Sequence, residues 1–141
     1  MNKHIRLIPA LALGIAVLSI PTLATAATAV TAKPQALLVA KGAGAVVSVE
    51  VTCDLGASSH FFGSVVVNQR VGNGIASGNG SVNDVPINCN GTLQTVEILV
   101  TAQSKAFRRG SAIAGLNVFV CDQFFTVCDS AVATQEIQLA R

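Results

Sequence analysis

The stretch AVVSVEVTC, residues 45–53, decides how the rest of the chain is read. Val47, Val49, Val51 and Cys53 fall on one side, and Ser48, Glu50 and Thr52 on the other. That strict period of two marks a strand with one face buried and one face wet. The same signature recurs outward in both directions. Upstream, QALLVA (35–40) reads as a strand joined to it by the turn KGAG. Downstream, DLGASSH (54–60) reads as a turn and FFGSVVVNQR (61–70) as a strand rich in Phe and Val. The Gly/Asn/Ser-rich VGNGIASGNGSVND (71–84) reads as a long flexible connection with a short edge strand near Ile75.

After VPINC, the pair Asn90-Gly91 suits a tight hairpin turn. In TLQTVEILVTA (92–102), Val96, Ile98 and Val100 alternate with Thr95, Glu97 and Leu99. AIAGLNVFVC (112–121) puts Ala112, Ala114, Leu116, Val118 and Val120 on one face. Cys121 then falls on the other face, or a bulge resets the register. A loop, DQFFTV, and a last strand ending QEIQLAR follow. No segment holds a helical period, and turns separate the strands at regular intervals. The pattern predicts an all-β, antiparallel two-sheet immunoglobulin-like sandwich of seven or eight strands. The chain has neither Trp nor Tyr, so the core Trp and tyrosine corner of antibody domains are missing and a variant topology is expected.

The N-terminus carries a basic segment, MNKHIR, an apolar run over Leu7 to Ile20, and a small-residue exit, PTLATAA. This is the layout of a secretory signal peptide, expected over 1–26 with cleavage near Ala26. The apolar run is short of the roughly 20 residues of a membrane span, so no span is expected after cleavage. Residues 27–35 read as a flexible leader, and 36–141 as one domain. The expected location is secreted or extracytoplasmic.

Removing Lys3 and Arg6 leaves seven Lys/Arg against seven Asp/Glu. A formally neutral chain gives no electrostatic footprint for nucleic acid or anionic lipid. Arg108-Arg109, the one basic doublet, reads as a solvated turn rather than a ligand site.

Four cysteines in an exported chain read as two disulfides, with three connectivities open. The simplest scheme joins Cys121 to Cys128 across a hairpin and Cys53 to Cys89. Redox or zinc chemistry wants Cys-x-x-Cys and several histidines; no Cys-x-x-Cys is present and His60 is the single histidine after the signal segment, so no metal or cofactor is expected.

A diffuse pattern runs through Cys53, Val65-Val66-Val67-Asn68-Gln69, Cys89-Asn90-Gly91, Val96-Glu97-Ile98 and Phe107-Arg108-Arg109-Gly110-Ser111-Ala112. It resembles a family of small exported actinobacterial-type proteins of uncharacterised function, and implies an immunoglobulin-like sandwich rather than an activity. The length, export signal and two-bridge framework also resemble the neocarzinostatin-like chromoprotein apoproteins, which carry small aromatic ligands. The cysteine spacings differ from theirs, and no binding residue is transferred.

Catalysis would have to use His60, with Ser58 and Ser59 beside it in sequence, yet no nucleophile-elbow motif surrounds any serine. Glu50, Glu97 and Glu136 alternate with apolar neighbours and read as solvent-face charges rather than a carboxylate pair. Asp54, Asp122 and Asp129 each follow a cysteine. They would approach a calcium site only if both bridges met at one end of the domain; turn-forming Asp is the simpler reading. Asn79-Gly80-Ser81 and Asn90-Gly91-Thr92 are glycosylation sequons that a bacterium leaves idle.

Binding remains, and two aromatic pairs stand out, Phe61-Phe62 and Phe124-Phe125. Adjacent side chains of an extended strand point to opposite faces, so one member of each pair enters the core and the other does not. The four residues are therefore the candidate binding residues. The expected function is an exported, non-enzymatic binding or interaction module of the envelope or extracellular space, its partner an unknown protein. The alternative is a carrier holding a small hydrophobic ligand in an internal apolar pocket.

Overall fold

The computed structural model describes residues 28–141; the expected signal peptide and its cleavage site lie outside them. The chain forms β1 (Ala29–Ala32), β2 (Gln35–Val39), β3 (Gly44–Thr52), β4 (Asp54–Val71), β5 (Gly74–Asn90), β6 (Gln94–Ala102), β7 (Gly110–Cys121) and β8 (Cys128–Ala140). A 3-10 turn over Ala40–Gly42 links β2 to β3.

All eight strands belong to one sheet, in the order β1-β3-β2-β8-β7-β4-β5-β6. The sheet closes on itself because β3 also pairs with β6, from Gly44 opposite Thr101 to Val51 opposite Gln94. The fold is therefore a closed seven-stranded barrel of β2 to β8, and the expected two-sheet immunoglobulin-like sandwich is overturned. The physical reason is that a barrel wall and a sandwich sheet both bury every second residue. Alternation along Ala45–Cys53 is the same in either. Closure is antiparallel throughout except where β2 runs parallel to β8, Gln35 opposite Gln138.

Three other expectations change. Residues 71–84 are not a flexible connection but the end of β4 and the first half of β5, paired residue by residue with β4 from Val71 opposite Gly74 to Gly63 opposite Val82. The glycines serve close approach: a β-carbon at Gly80 would overlap the Leu99 carbonyl oxygen, and one at Gly78 would overlap that of Thr101. Where β5 is drawn in against β6, only glycine fits. The supposed turn 54–60 is likewise the start of β4, with register shifts between Asp54 and Gly56 and between Gly56 and Ser59.

The presumed leader contains β1, in which Val30 and Ala32 are buried and Ala29 and Thr31 exposed. β1 pairs with β3, Ala29 opposite Thr52. No backbone ladder joins it to β8. Instead the Gln135 side chain accepts from the Ala32 N–H and donates to the Ala32 carbonyl, while the Thr28 N–H donates to Asp129.

Side chains fill the interior. Val47, Val49, Phe61, Val65, Ile98 and Leu116 are fully buried among others, as expected of a barrel too small to hold a channel. Phe107 turns in from the 103–109 loop as a plug, its N–H donating to the Gly42 carbonyl. Both bridges of the simplest scheme are present, Cys53–Cys89 and Cys121–Cys128. Disulfides of this kind point to an oxidising, extracytoplasmic location. Among the described residues no helix is long and apolar enough to cross a membrane.

Candidate functional site

Alternation along β4 sends Ser59 and Phe61 into the barrel and leaves His60 and Phe62 on its outer wall. On β7, Val118 and Val120 point in and Phe119 points out, directly opposite Phe62. The rings of Phe62 and Phe119 lie 6.3 Å apart.

The β7–β8 loop adds a third ring. Asp122 ties this loop together: its carboxylate accepts from the Thr126 N–H at 2.7 Å, the Val127 N–H at 3.1 Å and the Thr126 hydroxyl at 2.6 Å. The Thr126 hydroxyl, followed by the Val127 amide, holds the Asp122 carboxyl below its ordinary value, because hydrogen bonds to the charged form favour it. Phe125 adopts φ 56°, the left-handed region. Its ring stacks on His60 with centroids 4.6 Å apart and stands 6.3 Å from Phe62.

His60, Phe125, Phe62 and Phe119 thus form one aromatic ledge on the outer wall, with Phe125 52% and Phe119 44% exposed. Beside it a shallow depression of about 210 Å³ is lined by Phe62, Phe119, Ser64, Ser81, Asn83 and Asn117. Rings next to amides and hydroxyls offer apolar contact and oriented hydrogen bonds together.

The sequence candidates divide accordingly. Phe61 is core and Phe62 is outside, as alternation requires. Phe124 and Phe125 do not divide between core and solvent, since they sit in the loop rather than on a strand. Both are exposed, and Phe124, at 75%, lies apart from the ledge beside Leu55 and Gln123. Phe119, Asn83 and Asn117 were not among the candidates. The alternation of 112–121 does place Phe119 on the wet face, and a large ring there is the signal that would have found it.

His60 meets Asp84, Nδ1 to Oδ1 at 2.5 Å. A catalytic triad would also need a nucleophile, and the buried Ser59 hydroxyl instead donates to the Gly56 carbonyl. Among the described residues no hydroxyl is hydrogen-bonded to His60. Both disulfides do lie at one end of the barrel, yet no group of three acid, His or Cys side chains there could hold a metal ion among the described residues. Asp122 is occupied by its loop, and Asp129 by the Thr28 and Ser130 amides. Glu50 and Glu97 are on neighbouring strands but in offset register, opposite Thr95 and Ser48.

No protein-family model matches the chain, and no curated protein matches it.

Proposed function

We propose that this is an exported, non-enzymatic binding module that engages a partner through the aromatic ledge on its outer wall. The carrying observation is the coupling of a filled interior to an external run of rings, His60, Phe125, Phe62 and Phe119. Exposed rings rimmed by polar groups are what interaction sites are made of. The ledge fits a partner presenting an apolar face flanked by hydroxyl or amide groups, which Asn83, Asn117, Ser64 and Ser81 would meet.

Export rests on the signal-like residues 1–26 together with the two disulfides. The resemblance to small exported actinobacterial-type proteins is part of the same proposal. A carrier would need an internal apolar pocket, and the inner positions are occupied by Val, Ile, Leu and Phe.

The test is native mass spectrometry of the exported protein from its own host, wild type beside Phe62→Ser/Phe119→Ser. The expected result is a bound partner on the wild type that the double variant loses. A stoichiometric apolar small molecule retained by both would overturn the reading in favour of a carrier.

A further inference from the structure

Summed charge conceals how the charges are placed. Lys41 lies in the turn after β2, Arg70 at the end of β4, Lys105, Arg108 and Arg109 in the 103–109 loop, and Arg141 after β8. Topology brings all of these to one end of the barrel. Asp54, Asp122 and Asp129 lie at the other end, with both disulfides. At the basic end Lys41, Arg108, Arg109 and Arg141 line a single pocket of about 410 Å³, walled also by Leu38 and Phe107, with no acidic side chain in its lining. Among the described residues no salt bridge reaches any of the four.

The backbone under these side chains is held firmly. The buried Gln69 side chain donates to the Arg108 carbonyl at 2.7 Å and accepts from the Arg108 N–H at 2.8 Å. The Phe107 N–H donates to the Gly42 carbonyl at 2.8 Å. Ala40, Lys41 and Gly42 all adopt left-handed φ angles, 47°, 57° and 93°. Two consecutive non-glycine residues in this region are a local cost. Such strain persists where the surroundings fix it, and it clusters at ligand clamps.

Like charges gathered with no acidic side chain among them repel one another, and an anion relieves the repulsion. Arg guanidinium groups match phosphate oxygens in bidentate geometry, and Lys adds a point charge. The volume lies in the range of small-ligand sites. We propose that the basic end binds a phosphate-bearing ligand with at least two negative charges, a phosphomonoester or pyrophosphate group. A single carboxylate would leave most of these cations unmatched. The site is separate from the aromatic ledge and does not depend on it.

The test uses sodium pyrophosphate in calorimetric titration at low ionic strength, and sedimentation with equimolar phosphatidylcholine/phosphatidic acid vesicles against phosphatidylcholine alone. Wild type is expected to bind one or both phosphate sources saturably. Arg108→Ala and Arg109→Ala should each weaken that binding about tenfold or more, the scale of a lost charge-assisted hydrogen bond. Lys33→Ala, remote from the pocket, should leave it unchanged. Arg108→Ala keeps both backbone bonds to Gln69, so circular dichroism should show an intact barrel. Binding to pyrophosphate identifies a free phosphate group as sufficient, and binding to the acidic vesicles alone identifies a lipid headgroup as the source. Absence of binding to both, or equal binding by wild type and the two arginine variants, would overturn the proposal.

Discussion

Gln69 grips the backbone of Arg108 at both its N–H and its carbonyl, 39 residues away along the chain. A buried amide that satisfies two main-chain groups at once couples β4 to the 103–109 loop. Gln69→Leu removes both bonds and leaves two backbone groups without partners. The expected loss is about 2–4 kcal/mol, read as a lower urea midpoint at unchanged slope.

Glycine substitutions should separate by space. Gly80→Ala drives a methyl into the Leu99 carbonyl where β5 meets β6, whereas the nearest atom to a β-carbon at Gly115 is the Val66 carbonyl oxygen at 3.9 Å. Gly80→Ala is expected to cost about 2 kcal/mol or more, as overpacking does, and Gly115→Ala to change the melting temperature little. Thermal unfolding of the two variants side by side checks this.

The bridges should differ in strength. Cys53–Cys89 spans 36 residues and Cys121–Cys128 seven. On the chain-entropy account the first is worth nearly 4 kcal/mol and the second about 2–3 kcal/mol. Replacing each pair by serine should therefore lower stability more for the longer loop. The Cys121→Ser/Cys128→Ser protein should also lose the order of Phe125 over His60, visible as weakened aromatic ring-current shifts.

Acid should destabilise the barrel through two carboxylates. The Thr126 hydroxyl depresses Asp122 and the Thr28 amide depresses Asp129. A depressed group binds fewer protons folded than unfolded. Its contribution is therefore present above the ordinary carboxylate value, about 3.9, and is lost as pH falls through the lower folded value. Asp129→Asn should flatten the acid limb of a stability-against-pH curve, and an unchanged limb would contradict the assignment.

The local grammar of the chain was legible, and its global closure was not. Alternation at Val47, Val49 and Val51 located β3, and the hairpin around Cys121 and Cys128 located one bridge. Pairing of Gly44–Val51 with Gln94–Thr101 is a contact between distant segments, and no local period encodes whether a sheet ends or returns. Gly78 and Gly80 resemble loop residues because the feature that demands them, the Leu99 and Thr101 carbonyls, is brought near only by the fold. The aromatic ledge was half visible for the same kind of reason. Phe62 followed from alternation, whereas the turn that lays Phe125 on His60 depends on the Asp122 hydrogen bonds. The charges of 28–141 cancel in sum, and only strand direction reveals their separation.

The parallel pairing of β2 with β8 joins the earliest and the latest strands of the barrel, Gln35 to Gln138. A ring with such a seam stays open until its last strand is available, however well the hairpins between have formed. Long-range closure of this kind is slow compared with local pairing. The barrel therefore stays open through most of its synthesis, and its closure is a single late event that waits for β8.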